Sequence, residues 1–225
     1  MATILNSKTV KEYGLNAGAN VVGIASSKDF SLAPEGFKPS DNLEDCHSVV
    51  VLGATFPKKV FKSITEYTAS RNEMLTVMTN IAKEVAKKIK HDGYSTKEIS
   101  GSGGKWVEGE GRKEQFGYIS LKHAAELAGL GVIGKNYSLT NPEYGNLLWF
   151  SAVLTNADLI PDKKVQYEIC NNCNKCIKSC PSGALDNPAL FGRKECSKFF
   201  TIENKKFLIK CFNCRKVCPN RFGNV

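Results

Sequence analysis

From Ser7 to about residue 160 the chain alternates between helical and extended hydrophobic patterns. Ser7 to Ala19 reads as a helix, and Val21-Val22-Gly23-Ile24-Ala25 follows it as a short buried strand. A loop through Pro34 and Pro39 leads to Ser48-Val49-Val50-Val51-Leu52-Gly53, a β-branched run suited to the interior of a sheet. From Asn72 to Lys90 the residues Met74, Val77, Met78, Ile81, Val85 and Ile89 recur at helical spacing with lysines opposite, which predicts a core-facing helix. Gly93 ends that helix, Thr96 to Ser100 predicts a strand, and the glycine-rich stretch from Gly101 to Gly111 predicts a mobile loop. Ser120 to Leu127 predicts a further helix and Leu147 to Leu154 a further interior strand.

This alternation predicts an α/β (α+β) domain over residues 1–162, followed by a small cysteine-rich domain over 163–225. A hydrophobic content of 42% and a charged content of 24% are ordinary for a soluble globular protein of 225 residues. The first residues lack an apolar signal core, and the longest apolar stretch, near Leu147, is too short for a bilayer. A cytoplasmic location with no membrane partner is therefore expected. Charge is concentrated at one end: residues 163–225 hold 13 Lys and Arg against 4 Asp and Glu, while the rest of the chain balances at 18 of each. The net +9 thus belongs to the cysteine segment, where it can offset buried negative charge or steer an acidic partner. The basic residues are scattered among cysteines without a nucleic-acid-binding motif.

Eight of the nine cysteines fall in this segment, as Cys170-x2-Cys173-x2-Cys176-x3-Cys180-Pro181, then Cys196, then Cys211-x2-Cys214-x3-Cys218-Pro219. A cubane cluster takes four thiolates, three from one tight loop and a fourth that reaches over from the other loop just before a proline. The pattern predicts two 4Fe-4S clusters, one on Cys170, Cys173, Cys176 and Cys218 and the other on Cys180, Cys196, Cys211 and Cys214. In the second loop a fourteen-residue gap between Cys196 and Cys211 replaces the two-residue step of the first. Two four-thiolate zinc sites are the alternative, but zinc accounts for neither the triple loop nor the Cys-Pro endings. Cys46 stands outside the set, before a buried strand, and reads as a plain buried thiol.

Gly129-Leu-Gly131-Val-Ile-Gly134 matches a dinucleotide-binding string but terminates a helix where that fingerprint must open one. It reads either as a helix cap or as a backbone turn against a cofactor, with Lys135 available to an acidic group. The run Ser120-Leu-Lys-His-Ala-Ala-Glu-Leu-Ala-Gly-Leu-Gly-Val-Ile-Gly-Lys-Asn136, then Pro142-Glu-Tyr-Gly145, then the cysteine pattern, resembles epoxyqueuosine reductases and corrinoid reductive dehalogenases. Gly18 to Ala25 and Cys46 to Gly53 extend the likeness over nearly the whole chain. The resemblance implies a nitroreductase-like cofactor domain that carries cobalamin or a related corrinoid, fused to a two-cluster ferredoxin-like module that feeds it electrons. It also implies that Gly129, Gly131, Gly134, Lys135 and Asn136 form the corrinoid turn. Flavin in the same domain is the alternative cofactor.

The chain departs from the family at its working residues. The family's acidic proton donor falls on Gln115, and its Arg-Asp-Tyr-His signature falls on Arg71-Asn72-Glu73-Met74. The chain ends seven residues after Cys218, without the helical-repeat region associated with tRNA, so tRNA is not expected as a partner. Glu73, Tyr118, His123 and Tyr137 are the replacement candidates for proton delivery. The expected activity is a reductase fed by a ferredoxin or flavodoxin and acting on a small-molecule substrate. A transfer protein that reduces a partner corrinoid protein is the alternative.

Overall fold

The computed structural model describes residues 5–101, 104–108, 113–187, 192–203 and 206–224, the side chains of 106–108, 113–115, 202–203 and 206–207 excepted. The elements in chain order are α1 (Ser7–Asn16), β1 (Val21–Ser26), β2 (Ser48–Thr55), α2 (Ile64–His91), β3 (Thr96–Ile99), β4 (Lys105–Glu108), β5 (Lys113–Phe116) and α3 (Leu121–Leu127). They continue with β6 (Val132–Ile133), β7 (Leu139–Thr140), β8 (Leu148–Thr155), α4 (Lys175–Lys178), α5 (Arg193–Ser197), β9 (Phe200–Glu203), β10 (Lys206–Ile209) and α6 (Asn213–Lys216). The chain divides into two compact units that interleave in sequence: Met1–Ala54, Leu75–Leu130 and Trp149–Val165 form one, and Thr55–Met74, Gly131–Leu148 and Gln166–Val225 the other. The sequence reading places one boundary at 162/163. The last segment of the first unit ends at Val165, and the second unit also gathers two earlier segments that composition does not mark.

A four-stranded sheet in the order β1-β2-β8-β3 organises the first unit. β1 pairs antiparallel with β2, Val21 opposite Gly53, and β3 pairs antiparallel with β8, Thr96 opposite Thr155. β2 is buried at every position but its last, with Val49, Val50, Val51 and Leu52 fully enclosed. This is the burial expected of a continuous β-branched run in the middle of a covered sheet. Both α1 and α3 pack on β1. Asp162 closes the unit by accepting from the Ile24 amide at 2.9 Å and pairing with Lys11 at 2.5 Å.

Helix α2 begins eight residues before the predicted Asn72. Ser63 caps it, its Oγ accepting from the Glu66 amide at 3.0 Å, and the Ser63-x-x-Glu66 spacing is the overlooked start signal. Met74, Met78, Ile81, Val85 and Ile89 are buried as the periodicity requires, whereas Val77 is exposed. The glycine-rich segment also differs from its expectation as a loop: Lys105 pairs with Phe116 and Glu108 with Lys113 as a hairpin, although 102–103 and 109–112 lie outside the described residues.

In the second unit β6 and β7 form a small hairpin, and β9 and β10 form another across the stretch between Cys196 and Cys211. The fourteen-residue gap therefore folds on itself through the β9–β10 pairing. Among the described residues no helix is long and apolar enough to cross a membrane.

Candidate metal centre

All eight clustered cysteines lie in the second unit. The two Cys-x2-Cys loops are local copies of each other. Cys176 is the second residue of α4, Cys214 the second residue of α6, and the two short helices pack together. Each helix then turns into a Cys-Pro pair, with the Cys180 amide bonded to Ile177 O and the Cys218 amide to Arg215 O.

The thiols fall into groups within electrostatic reach of one another. Cys218 is pushed above the ordinary thiol value first by burial and then by the charges of Cys170, Cys176 and Cys173. Cys176 is raised by burial and by Cys170 and Cys173. Burial pushes Cys214 up to about 12, against the lowering charge of Arg215, with further raising by Cys196, Cys211 and Cys176. At Cys180 burial also raises the thiol, but hydrogen bonds from the Ser182 side chain and from the amides of Ser182, Ala184 and Leu185 outweigh it, and the net shift is downward. Cys170, Cys173 and Cys176 thus act on Cys218, and Cys196, Cys211 and Cys176 on Cys214, which leaves the division into two ligand sets a proposal.

Among the described residues no three His, Cys, Asp or Glu side chains close tightly enough on one point to hold a single metal ion. The donors fit iron–sulfur clusters chemically: thiols that partial burial pushes up, as at Cys176, Cys214 and Cys218, become good ligands when bound iron supplies the compensating charge. Cys46 belongs to the first unit, where it is 6% exposed and its thiol is lifted to about 11 by burial.

The run from Gly129 to Asn136 divides between two structural jobs. Gly129, with φ +71°, ends α3 in a Schellman turn: its amide bonds to Glu126 O at 3.1 Å and the Leu130 amide to Ala125 O at 2.9 Å. A Cβ on Gly131, where φ is +157°, would stand 2.4 Å from Thr140 O across the β6–β7 hairpin. Gly134 to Ser138 is the tip of that hairpin, with the Gly134 amide on Ser138 O and the Tyr137 amide on Gly134 O.

This tip meets the cysteine loops. A Cβ on Gly134 would stand 3.5 Å from Cys170 Sγ, the Lys135 amide donates to the same sulfur at 3.4 Å, and Lys135 Nζ bonds Asn174 Oδ1 at 2.9 Å. Asn136 Nδ2 donates to Cys214 O at 3.2 Å. A cleft here is lined by Gly134, Lys135, Cys170, Cys173, Cys176 and Cys218 among others.

The proton-delivery candidates are dispersed. Glu73 and Tyr137 belong to the second unit, Glu73 exposed on α2 and Tyr137 at the hairpin tip with φ +53°. In the first unit, His123 is exposed and hydrogen-bonded to Ser120 at 2.7 Å, and Tyr118 lies under Lys97 at 5.1 Å. The Gln115 side chain is outside the described residues.

Sequence reasoning missed the surroundings of Arg215. This residue follows Cys214 and is 8% exposed, donating from Nη1 to Tyr67 Oη at 3.0 Å and from Nη2 to Asn146 O. Phe56, Phe61, Tyr67 and Phe212 surround it, Tyr67 stacking on Phe212 at 4.7 Å. The only hint in the sequence was a basic residue beside a ligand cysteine.

The 4Fe-4S binding domain model matches residues 163–186, the first cysteine loop. The epoxyqueuosine reductase of Bacillus subtilis (strain 168) is 35% identical over 119 residues, covering 48% of this chain and 30% of that protein. The one from Synechococcus sp. (strain RCC307) is 36% identical over 104 residues, covering 42% and 32%. The chain thus matches less than a third of these curated relatives' length. Among solved structures, epoxyqueuosine reductase from Streptococcus thermophilus aligns over 95% of this chain and 65% of its own, with 18% identity and a TM-score of 0.67. A catabolic reductive dehalogenase aligns over 97% of this chain and 32% of its own, with 20% identity and a TM-score of 0.69. The chain is therefore similar to epoxyqueuosine reductases in sequence and shares its fold with both groups, a mixed α/β arrangement with a ferredoxin-like region near the C-terminus.

Proposed function

We propose that the chain is an iron–sulfur oxidoreductase related to epoxyqueuosine reductases, which draws single electrons through two 4Fe-4S clusters from a ferredoxin or flavodoxin and delivers them to a corrinoid for reduction of a small substrate. One observation carries this reading: eight cysteines gather in a single compact unit as two loops of the same local design, the first matching a 4Fe-4S binding domain. The ligand sets are Cys170, Cys173, Cys176 and Cys218, and Cys180, Cys196, Cys211 and Cys214.

When bound, the clusters supply one-electron storage at low potential, and a corrinoid supplies reductive chemistry at cobalt. The chain's own part is to hold thiolates where burial alone disfavours them, to aim the Lys135 amide at Cys170 Sγ, and to surround the second loop with packed aromatic rings. The corrinoid rests on the likeness to reductive dehalogenases, one of them described for B12-dependent dehalogenation. Lys135 and Asn136 are engaged by the cysteine loops rather than left free at that turn. The nitroreductase-like character of the first unit belongs to the same proposal. Flavin draws no support from these relatives.

The transfer reading, in which the protein reduces a partner corrinoid protein, gains from Gln115 and Asn72-Glu73-Met74 standing where the family's acid and tyrosine signature belong. Anaerobic purification followed by iron, sulfide and corrinoid analysis tests both. About eight irons and eight sulfides per chain are expected for two cubanes. Zinc, or metal-free thiols after reconstitution, overturns the cluster reading, and a cobalt-free protein that still reduces a corrinoid protein favours transfer.

A further inference from the structure

Arg215 is a buried cation that lacks an anionic partner among the described residues. A guanidinium is a permanent cation in proteins. The contacts of Arg215 are neutral: the Tyr67 hydroxyl at 3.0 Å, the Asn146 carbonyl, and the faces of Phe56, Phe61 and Tyr67 at 5.3, 6.0 and 5.9 Å. Its Nε has no hydrogen-bond partner, nor has Asn146 Oδ1. None of the ion pairs among the described residues involves Arg215. An enclosed charge of this kind is costly unless an opposite charge lies nearby.

The surrounding structure fixes its position. Arg215 shares α6 with Cys214, Asn146 Nδ2 holds the Arg215 carbonyl at 3.2 Å, and the ring stack of Tyr67 and Phe212 leaves the side chain little freedom. Arg215 follows Cys214 on α6 and its charge acts on the Cys214 thiol, so the anion that would answer it is the cluster proposed on Cys214, which would carry about −2 when oxidised and about −3 when reduced. A fixed positive charge favours the more negative state more strongly.

We infer that Arg215 is the built-in counter-cation of the cluster held by Cys180, Cys196, Cys211 and Cys214, and that it raises the reduction potential of that cluster selectively. Arg215 is thus a positioning and tuning residue, not a cluster ligand. The inference rests on the two-cluster reading.

The test is an anaerobic redox titration of the full chain, followed by electron paramagnetic resonance of the reduced clusters, with iron and sulfide measured on each sample. Arg215→Met should lower one midpoint and leave the other in place. At the wild-type midpoint of the affected cluster, the reduced-to-oxidised ratio should fall at least about tenfold, or about 59 mV for one electron. Arg215→Lys, which keeps the charge, should recover most of the shift. Unmoved midpoints in a fully loaded Arg215→Met protein overturn the inference, as does an equal shift in Arg215→Lys, which would assign the effect to packing. Should Arg215→Met fail to fold, Arg215→Gln, which keeps hydrogen-bonding groups but removes the charge, must lower the same midpoint, and no shift overturns the inference. Wild-type protein without cubane signals refutes the underlying two-cluster reading instead.

Discussion

The two cysteine loops share a local design and are both held by neutral hydrogen bonds, but the second also has a buried cation beside it. Neutral hydrogen bonds anchor the first: the Tyr167 hydroxyl on Thr140 O, Asn220 Nδ2 on Ile169 O at 3.0 Å, and the Lys135 amide on Cys170 Sγ. Around the second loop, aromatic rings enclose a full positive charge beside Cys214. Both means stabilise negative sulfur, but partial dipoles are replaceable by water whereas a buried charge is not. In the proposed two-cluster reading, one repeated motif would hold two chemically similar centres in different fields.

Ligand removal gives the largest expected effect on this comparison. Cys173→Ser and Cys214→Ser should each lose about four of about eight irons, from different clusters, as read by metal analysis and by which resonance signal disappears. Loss of the same signal in both would defeat the assignment. Phe212→Ala comes next: Phe212 is 8% exposed and stacks on Tyr67, so its truncation should cost about 3 kcal/mol in denaturant unfolding. It should disturb the second cluster before the first.

Tyr167→Phe should cost about 1 kcal/mol through the lost hydrogen bond to Thr140. It also has a pH signature. Burial, partly offset by a backbone hydrogen bond at Val132, holds the Tyr167 phenol up at about 12, above its ordinary value of 10.0. The unfolded chain ionises first, so this contribution is intact below about pH 10 and is lost as pH rises toward about 12. The wild-type protein should therefore lose stability across that window relative to Tyr167→Phe. Parallel pH curves would show that the phenol titrates alike in both states. The smallest effect is expected from Lys135→Ala, which keeps the amide on Cys170. Stability should change by under about 0.5 kcal/mol, with an unshifted first-cluster midpoint.

Much of the fold was legible because hydrophobic spacing is local. β2 and α3 follow from the run at Ser48–Gly53 and from the segment Ser120–Leu127. Helix α2 was legible in its core-facing half, and only its capped start was missed, since Ser63-x-x-Glu66 carries no hydrophobic signal. The hairpin at Lys105–Phe116 was hidden because glycine weakens strand propensity, and pairing depends on the partner strand. At the candidate site the cysteine spacing told its own chemistry, whereas the glycine run gave two readings at once. The cap at Gly129 and the cysteine-facing tip at Gly134–Asn136 involve residues up to 78 positions away.

The sequence alone determined the number and spacing of the thiols, the excess of basic residues around them, and the apolar runs of the sheet, because each is a property of neighbours along the chain. Tertiary structure alone decided that 55–74 and 131–148 join the cysteine loops, that an amide from Lys135 points at Cys170, and that Arg215 is enclosed by rings without a carboxylate among the described residues. The physical reason is that burial and electric field at a sulfur are set by distances through space. A residue such as Tyr67, 148 positions from Arg215, contributes to that field only once the chain has folded.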